Sequence, residues 1–587
     1  MRINEILKHK SDILCILLLA ALSIFFLHNI IGTGKVMDNG HYLHEQTFFS
    51  YNYQNALKYH TLPFWTPYWY AGQPLYSDSQ VFFFNLTFIF IYIFNNIFLS
   101  IGLSSLVYFF LGNLGMYILA KNLTKNPYAS LAASIVFMFN GLIYYFVRSG
   151  NPSILEPYAL IPFIFFFILK AAKSDNYLAS IRYSIFAGII LSFQIFSGGV
   201  IMFIYTGILI GLFLLYNLIG SKFINRLKKT IVIGLIIGIV CIGVSAVKLL
   251  PNIDFIKSTN RASGVSYQEY IGGDILVLKD FFKVVPFNGK SSGTAVDIGI
   301  IAFLLVLLSA VKFKKKIVLF SFIIAVFSIL FASGGFLAQI FYHLPAFSQS
   351  RHVARILFLF TFAAAILSAY GFLYMSEFAK LKFIKSNKLH LAFLFLIIII
   401  IFAELVYVRD IPKGLNIAEQ IKGNYAANYL AQEKEKFRIN TFDVNDLVSF
   451  YGSSYYAQYG LETLSGGGGD WINDYVEFTG IAQKYAPAKL QGILNVKYSL
   501  STKEVNVTGF KLVKKFEDCK VCNYSDWTYW IGGPYLYENE QYMPRYYTID
   551  NSILIVGNYA DVKSVIYILL LNPSFNPKTT VIIKGKQ

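Results

Sequence analysis

Residues 230–250, TIVIGLIIGIVCIGVSAVKLL, decide the class of fold. This stretch of 21 residues contains one Lys and no Arg, Asp or Glu. A helix needs about 20 mainly apolar residues to cross the roughly 30 Å hydrocarbon core of a bilayer. The stretch therefore predicts a helix that spans a membrane.

The composition of the whole chain extends this prediction. The 587 residues are 56% hydrophobic and 14% charged, and the mean hydropathy is +0.54. Soluble domains carry about 25% charged residues, so a soluble protein of this composition could not cover its surface with polar groups. The high hydrophobic and low charged content also excludes disordered, collagen-like and coiled-coil chains. We predict a polytopic α-helical membrane protein.

Eleven stretches are apolar and long enough to be predicted as membrane spans. They are residues 12–31, 102–121, 128–147, 154–172, 179–197, 199–219, 230–250, 297–311, 316–333, 354–376 and 390–408. A twelfth apolar stretch, 81–99, is predicted to lie along the interface or to re-enter. The first stretch has the basic flank of a signal peptide. Its apolar core is too long and no small-residue cleavage site follows, so we predict a retained span.

The distribution of Lys and Arg sets the predicted orientation, because cytoplasmic loops are enriched in these residues. With the N-terminus inside and 81–99 not spanning, the inner segments hold 20 Lys and Arg but four Asp and Glu. If 81–99 were counted as a span, every later loop would be predicted on the opposite side of the membrane, and the basic loops would lie outside. We therefore expect a protein of the cell membrane with a cytoplasmic N-terminus and an outer C-terminus. The pI of about 9.3 reflects this topology, and no nucleic acid is expected as a partner.

This topology divides the chain into a transmembrane domain, residues 1–408, and an extracytoplasmic domain, residues 409–587. The transmembrane domain has three outer loops, 32–101, 251–296 and 334–353. In the tail, the segments KFRINTF, NVKYSLS, YYTIDNSILIVG and TTVIIKG have the residue types of strands bounded by turns. We expect the tail to form a small α+β or mostly β domain.

The first outer loop has the densest set of candidate polar side chains. Asp38 follows the first span closely, and His41 and Glu45 come three and seven residues later, so on a helix the three would share a face. Such a trio could bind a divalent metal ion or relay a proton. Alternatively, Asp38 caps the start of a helix. Asp78, just before 81–99, is a second candidate carboxylate.

The same loop contains the aromatic stretch PFWTPYWYAGQPLY, residues 63–76. Its Trp65, Trp69 and Tyr70 suit a platform for a sugar ring. Trp and Tyr are also common anchors at membrane interfaces. The sequence leaves both interpretations open.

The third outer loop contains Arg351 and Arg355, four residues apart, with His352 beside them. We expect the two arginines on one face at the start of a span. Arg binds phosphate through a planar fork of donors, and arginines on the outer side run against the positive-inside pattern. We therefore favour phosphate binding, with snorkelling of the side chains as the alternative. Arg148 and Arg261 are further basic candidates on the outer side.

Four other residues have chemistry that the sequence does not settle. Glu156 and Glu404 lie in apolar stretches, where ionisable side chains are functional candidates. Cys519 and Cys522 form the motif CKVC, for which we favour a local disulfide over a free thiol pair. No Walker A or HExxH motif occurs in the chain.

Two sets of residues resemble known families. An acidic residue just after the first span, in a long outer loop, resembles the type C (GT-C) glycosyltransferases, whose active site is on the outer face. The segments LPFWTPYWYAGQPLY, LLPNIDFIKSTNRAS, LPAFSQSRHVARILFLF, LNVKYSL and YMPRYYTI occur in the order expected for the YfhO-like family of bacterial membrane proteins. The sequence departs from that family at Gly199, where a His is expected.

The resemblance implies transfer of a sugar from a polyprenyl-phosphate donor to an extracytoplasmic acceptor, such as a cell-envelope glycan or polymer. A carboxylate would take the proton of the acceptor hydroxyl, and we predict Asp38, with Glu45 and Asp78 as alternatives. Fixed positive groups would stabilise the leaving phosphate, and we predict Arg351 and Arg355 together with the adjacent His352. Further substrate contacts are expected at His41, Trp65, Trp69, Tyr70, Arg148 and Arg261.

Two other classes of function stay open. A transporter or flippase of a lipid-linked saccharide would have inverted repeats, broken helices and charges at the bilayer midplane. A scaffold that only presents the outer domain would not need so many spans. For the transferase we expect the donor lipid, the glycan acceptor and membrane lipids as partners, and no cofactor other than an optional divalent metal ion.

Overall fold

A computed structural model describes most of the chain. The described residues are 10–37, 43–82, 84–219, 223–272, 275–281, 296–382, 384–407, 411–412, 414–416, 424–442, 456–466, 470–517 and 534–585. The chain forms two compact units. Unit 1 comprises Met1–Gln46, Tyr76–Lys257 and Arg261–Leu415, and unit 2 comprises Thr47–Leu75, Ser258–Asn260 and Asn416–Gln587.

Long helices dominate the first two thirds of the chain, and most strands lie in the last third. The α-helices are α1 (Lys10–Leu27), α2 (Leu43–Lys58), α3 (Leu86–Phe94), α4 (Ile97–Thr124), α5 (Pro127–Met138), α6 (Gly141–Arg148), α7 (Pro152–Lys173), α8 (Tyr177–Phe196), α9 (Val200–Asn217), α10 (Phe223–Ile256), α11 (Tyr267–Ile271), α12 (Ile300–Leu308), α13 (Lys316–Ala332), α14 (Phe336–Tyr342), α15 (Leu357–Lys382), α16 (Asn387–Tyr407), α17 (Tyr425–Leu430), α18 (Asn473–Tyr485), α19 (Pro487–Ile493) and α20 (Tyr559–Leu571). The strands are β1 (Lys35–Met37), β2 (Trp65–Thr66), β3 (Gln73–Pro74), β4 (Gly414–Asn416), β5 (Arg438–Thr441), β6 (Glu462–Thr463), β7 (Val496–Ser501), β8 (Phe510–Lys515), β9 (Tyr535–Asn539), β10 (Asn551–Val556) and β11 (Thr580–Gly585). Short 3-10 helices occur at His28–Ile30, Leu278–Asp280, Ser309–Lys312, Val353–Ile356 and Ala457–Tyr459.

Unit 1 is built from long apolar helices. Among the described residues, eight helices are long and apolar enough to cross a membrane. Two bent pairs raise that number to ten if each pair is one span: α5 with α6, bent by 47°, and α13 with α14, bent by 80°. The chain is a multi-pass membrane protein, as the sequence predicts.

The predicted count of eleven spans is not confirmed. The predicted span 297–311 corresponds to the apolar helical stretch Ile300–Lys312, which falls in the class of 10–17 residues. Its first nine residues form α12 and its last four a 3-10 helix. Such a stretch is shorter than the roughly 20 residues that a span needs, so this part of the topology stays a prediction.

The helix α3 lies in the middle of the stretch 81–99. It has nine residues and rises about 13 Å at 1.5 Å per residue, less than half of the roughly 30 Å core. The side chain of Asn85 caps its start by accepting a hydrogen bond from the Phe88 backbone N–H at 3.1 Å. Asn95 ends it with a left-handed backbone, φ 47°. This length fits a segment that does not span the membrane.

The helix α15 forms the centre of unit 1. In the most apolar segment of Val353–Leu381, 94% of the residues are buried. In the corresponding segment of α16, 22% of the residues are buried. The helix packs against α5, α12 and α13. A Cβ atom at Gly371 would lie 1.9 Å from the carbonyl oxygen of Leu305, so only glycine allows α12 to approach α15 this closely. A helix surrounded in this way is fixed in position by its neighbours.

Unit 2 contains a mixed sheet of five strands in the order β6-β5-β7-β9-β8. The pairs β5–β6 and β5–β7 are parallel, and the pairs β7–β9 and β8–β9 are antiparallel. Buried apolar side chains such as Leu430, Ile439 and Leu500 form its core. A separate parallel pair, β10–β11, is connected through α20. The four tail segments predicted as strands are confirmed as β5, β7, β10 and β11.

Part of the first loop packs with the tail in unit 2. The two-residue strands β2 and β3 pair Trp65 with Pro74. The guanidinium of Arg438 donates a hydrogen bond to the Ala71 carbonyl at 2.6 Å, and the Thr463 hydroxyl donates to the Tyr68 carbonyl at 2.8 Å. The loop is therefore hydrogen-bonded to two neighbouring strands, β5 and β6.

Candidate functional site

The basic segment of unit 1, residues 351–355, connects to the central helix α15 by an irregular turn. His352 has a left-handed backbone, φ 65°, and the 3-10 helix Val353–Ile356 follows it. The Arg355 backbone N–H donates to the His352 carbonyl at 3.0 Å. The expectation that Arg351 and Arg355 share one face of a helix was therefore wrong, because the backbone at His352 breaks the helical path between them.

A short helix, α11, lies against this basic segment. Its Glu269 accepts a hydrogen bond from Nη2 of Arg351 at 3.3 Å, and both side chains are partly exposed. A Cβ atom at Gly272, which has φ 62°, would lie 3.0 Å from Nδ1 of His352. Ser266 and Glu269 form a capping box that fixes the start of α11. The segment and the helix thus form one local arrangement, the basic arrangement, with the three basic residues Arg351, His352 and Arg355 and the acidic residue Glu269.

Two buried tyrosines belong to the same arrangement. Tyr270 of α11 is 1% exposed, and its hydroxyl has no hydrogen-bond partner within the described part of the chain. Tyr205, 3% exposed in the second turn of α9, interacts electrostatically with both Tyr270 and Arg355. Burial raises the pKa of Tyr270, so its hydroxyl retains its proton and can donate a hydrogen bond to a ligand.

Asp78 lies in a second buried cluster of unit 1. It has no solvent exposure, and its Oδ1 accepts a hydrogen bond from the Gln80 backbone N–H at 2.8 Å. Lys248 of α10, 1% exposed, interacts electrostatically with Asp78 and donates a hydrogen bond to the Val81 carbonyl. Asn252 of α10 donates to the carbonyl of the residue before Asp78 at 2.7 Å. Asp78 is thus part of a network that fastens the loop to α10.

The two clusters lie at the same end of α9. Gly198, just before this helix, has φ 69°, and a Cβ atom there would lie 2.3 Å from the Gln80 carbonyl oxygen. The start of α9 therefore touches the Asp78 loop. From Val200 to Tyr205 the helix rises about 8 Å. This end of α9 is the one that the sequence predicts to be outside.

Glu156 holds the start of α3. It is 1% exposed, and its carboxylate accepts hydrogen bonds from Asn85 at 3.3 Å and from Ser104 at 3.3 Å. Asn85 is the residue that caps α3. Glu156 therefore connects the short helix α3 to the long helices α4 and α7, which is a positioning role.

Glu404 caps α12 from the neighbouring span α16. Its two carboxylate oxygens accept hydrogen bonds from the backbone N–H groups of Ile300 at 2.6 Å and Ile301 at 3.2 Å. A Cβ atom at Gly299, φ 84°, would lie 2.8 Å from Oε2 of Glu404. Free N–H groups at a helix start attract a carboxylate. This contact explains an acidic residue in an otherwise apolar stretch.

The aromatic residues of the first loop differ in accessibility within unit 2. Trp65 is 57% exposed, whereas Trp69 is fully buried and contacts the Phe49 ring at a centroid distance of 5.5 Å. Tyr70 has φ 50°, and its backbone N–H donates to the Ser465 carbonyl at 3.3 Å. Trp69 and Tyr70 are held by packing and hydrogen bonds, and Trp65 is the exposed aromatic residue of the three.

The remaining predicted site residues are not brought into the basic arrangement by any described contact. Asp38, His41, Cys519 and Cys522 lie outside the described residues, as does the side chain of Glu45, whose backbone belongs to α2. Arg148 is the last residue of α6 and is partly buried, and Arg261 is 7% exposed. Within the described ranges, no group of three or more His, Cys, Asp and Glu could hold a metal ion.

Four residues of these clusters were not predicted from the sequence: Lys248, Glu269, Tyr205 and Tyr270. Lys248 had a usable signal, because it is the single charged residue of the stretch 230–250. The other three lie in segments whose local sequence is ordinary. Their importance arises from contacts between α9, α11 and the basic segment, which are distant in sequence.

Comparisons with known proteins bear on the fold. No protein-family model matches the chain, and no curated protein sequence matches it. The fold is similar to that of an oligosaccharyltransferase from Archaeoglobus fulgidus in its apo form, with a TM-score of 0.51 and 15% identity over 84% of this chain and 69% of that chain. It is also similar to the arabinofuranosyltransferase AftD from Mycobacteria, with a TM-score of 0.54 and 11% identity over 89% of this chain.

The chain has a GT-C-like fold. It is a helical polytopic membrane protein with a C-terminal region that contains β-strands. The chain spans 40% of the length of AftD. At identities this low the likeness concerns the fold, and the YfhO-like family membership stays a prediction.

Proposed function

We propose that the protein is a membrane glycosyltransferase that moves a sugar from a polyprenyl-phosphate donor to an extracytoplasmic glycan or polymer. The observation that carries the proposal is the basic arrangement of Arg351, His352 and Arg355 at the predicted outer end of α9, in a GT-C-like fold. The neighbours in fold are an oligosaccharyltransferase and an arabinofuranosyltransferase, which supports the reaction class.

In this proposal Arg355 and Arg351 hold the donor phosphate. The leaving group gains negative charge as the glycosidic bond breaks, and fixed cations nearby lower the energy of that state. Arg351 is already hydrogen-bonded to Glu269 through Nη2, but its Nε is buried without a hydrogen-bond partner among the described residues. Arg351 thus keeps a donor for a second anion. His352 adds a third nitrogen-bearing side chain next to them.

Asp38 is the proposed general base, which takes the proton of the acceptor hydroxyl. Of the alternatives, Asp78 is engaged by Gln80 and Lys248 and is shielded from solvent. An acceptor hydroxyl would have to enter that network to reach it. This favours Asp38, with Glu45 as the second choice in the same loop.

The remaining proposed contacts serve the sugar and the acceptor. Exposed Trp65 suits stacking on a sugar ring, because aromatic faces bury apolar sugar C–H groups. His41, Arg148 and Arg261 stay candidates for polar contacts, and Trp69 and Tyr70 are assigned to holding the loop. A divalent metal ion stays an optional partner of Asp38, and the donor itself supplies the energy of the reaction.

The test measures sugar transfer by purified protein in nanodiscs, with donor lipids extracted from the native membrane. Arg351→Lys should lower transfer strongly although it keeps the charge, since Lys presents a point charge where Arg presents a fork. Arg182→Lys, at an exposed position of α8, is the matched control and should leave transfer unchanged. Normal transfer by an Arg351→Ala, Arg355→Ala double variant would reject the phosphate site.

The proposed base has its own test. Asp38→Asn should fold and bind donor, but transfer should fall by about 10²–10⁴-fold, or roughly 3–5 kcal/mol of barrier. A capping role predicts wild-type transfer instead, because Asn caps helices about as well as Asp. Loss of transfer in Asp78→Asn alone would move the base to that residue.

The proposed orientation places the N-terminus in the cytoplasm and unit 2 outside. Single Cys residues at the exposed Lys228, Lys314 and Lys578 report it, in a background with Cys519 and Cys522 replaced by Ser. A membrane-impermeant thiol reagent should label position 578 in intact cells, and positions 228 and 314 only after permeabilisation. Labelling of 228 or 314 in intact cells would contradict the orientation.

A transporter or flippase is the second candidate, and the bent helix pairs are the observation in its favour. Transporters of this kind use broken helices, and two pairs in unit 1 are bent by 47° and 80°. The breaks carry Asn140 and the stretch Ser333–Gly335 rather than ionisable residues. Movement of a labelled donor lipid across proteoliposomes without sugar transfer would favour the transporter.

A further inference from the structure

The hydroxyl of Tyr270 stands out among the three tyrosines that pack together in unit 1. Tyr267 donates its hydroxyl to the Gly334 carbonyl at 2.9 Å, and Tyr342 donates to the Val265 carbonyl at 2.7 Å. Tyr270 contacts both rings, at centroid distances of 5.9 Å and 5.3 Å. Its own hydroxyl has no hydrogen-bond partner in the described structure. Buried polar groups nearly always form hydrogen bonds. We therefore expect a bound ligand to supply an acceptor for this hydroxyl.

The surroundings of Tyr270 indicate what kind of acceptor would fit. The residue before it in α11, Glu269, is paired with Arg351, and Gly272 abuts the His352 ring. Tyr205 of α9 interacts electrostatically with both Tyr270 and Arg355. An acceptor that reaches the Tyr270 hydroxyl therefore lies against α11, the helix that contacts Arg351 and is followed by a residue that touches His352. An anion fits this place better than a neutral group, because the positive charges compensate for its loss of water.

We propose that Tyr270 donates a hydrogen bond to a phosphate oxygen of a polyprenyl phosphate bound at Arg355. This inference deepens the proposed function and rests on it. It adds a neutral donor to the two arginines and places it on α11. A tyrosine hydroxyl fixes the orientation of the phosphate without adding positive charge, so the product lipid phosphate can still leave.

The test uses Tyr270→Phe in the full chain and measures binding of undecaprenyl phosphate in detergent. Phe keeps the ring that packs on Tyr267 and Tyr342 and removes only the oxygen. A hydrogen bond to a charged group predicts dissociation constants about 10- to 100-fold higher for the variant. Because the hydroxyl has no partner among the described residues, the melting temperature of the free protein should stay the same or rise.

Tyr267→Phe is the matched control, since it removes a hydroxyl that does have a backbone partner. It should lower the melting temperature of the free protein and leave the affinity for undecaprenyl phosphate unchanged. Two further probes separate the sources of the phosphate: undecaprenol, which lacks the phosphate, and inorganic phosphate, which lacks the lipid. We expect both to bind more weakly than undecaprenyl phosphate, and we expect undecaprenol, which offers no phosphate oxygen, to be insensitive to Tyr270→Phe.

Three results would overturn the inference. Equal affinity of Tyr270→Phe and wild type for undecaprenyl phosphate would remove the hydroxyl from the site while leaving Arg355 and the proposed function intact. A melting temperature lowered as much as in Tyr267→Phe would assign the hydroxyl a structural partner. Inorganic phosphate bound as tightly as the lipid, with the same dependence on Tyr270, would replace the lipid by free phosphate. Failure of the wild type to bind undecaprenyl phosphate would instead count against the proposed function itself.

Discussion

Replacing Lys248 by Met should destabilise unit 1 by about 2–3 kcal/mol, the usual cost of leaving a buried acceptor without its donor. The structure sets this magnitude, because Asp78 has no solvent exposure and Lys248 is 1% exposed. Met has a similar length and keeps the contacts of the aliphatic stem. The variant leaves the Val81 carbonyl without its donor and removes a positive charge that interacts electrostatically with Asp78.

Asp78→Asn should cost less, about 1 kcal/mol. The Asn side-chain oxygen still accepts from the Gln80 backbone N–H, and Lys248 keeps its hydrogen bond to Val81. The double variant, Asp78→Asn with Lys248→Met, buries no charge. We expect it to be more stable than the sum of the two losses by about 1 kcal/mol, within the range of measured coupling energies for interacting residues.

Stability is measured by unfolding the purified protein in mixed micelles of detergent and SDS. The wild type, the two single variants and the double variant are compared as a double-mutant cycle. Binding of undecaprenyl phosphate is measured beside it. Additive losses in the cycle would refute the reasoning, because they would mean that Asp78 and Lys248 do not stabilise one another. An Asp78→Asn variant of wild-type stability that cannot transfer sugar would also refute it, since it would make Asp78 catalytic.

Three further predictions concern carboxylates that bind backbone or basic groups. Glu404→Ala should destabilise unit 1 by about 1–2 kcal/mol through loss of the α12 cap, and complete loss of transfer at unchanged stability would contradict this. Glu462 accepts from Arg545 and is 8% exposed, so Glu462→Ala should cost about 3 kcal/mol and accelerate limited proteolysis of unit 2; an unchanged cleavage rate would argue against it. Asp12 accepts from Lys121 while fully buried; Asp12→Ala should lower the melting temperature, and adding Lys121→Met should restore most of it, whereas a further fall would show that the lysine has other partners.

The fold class was predictable because it depends on properties that are local in the sequence. Apolar runs of span length predict helices whatever their neighbours are, and the tail strands show β-branched residues between turn residues. The bend between α5 and α6 does not follow from hydropathy, because 128–147 is one continuous apolar run. Asn140, which caps α6 after the break, is the local signal for it. The apolar run 297–311 predicts a span, and the helical part of this region is Ile300–Lys312.

The site was predictable only in part, since its decisive contacts are distant in sequence. The hydrogen bond between Asn85 and Glu156 joins residues 71 positions apart, and that between Lys248 and Val81 joins residues 167 positions apart. Nothing in the local pattern indicates such pairs. The arginines were found because Arg is unexpected on the outer side of a membrane protein. Their backbone was wrongly expected to be helical, because no sequence feature at His352 predicts a left-handed turn.

Most buried ionisable residues of unit 1 discussed above have a protein partner, and the basic arrangement differs from them in this respect. Such residues are functional candidates by default, yet Glu404 caps α12, Glu156 holds the cap of α3, and Lys248 fastens the Asp78 loop. Each already has a protein partner that accounts for its burial. The basic arrangement differs, because the Tyr270 hydroxyl and Nε of Arg351 are both buried donors without an acceptor among the described residues. Two donors without acceptors, one of them on a cation and both in the arrangement that contains Arg355, support the anion site proposed above.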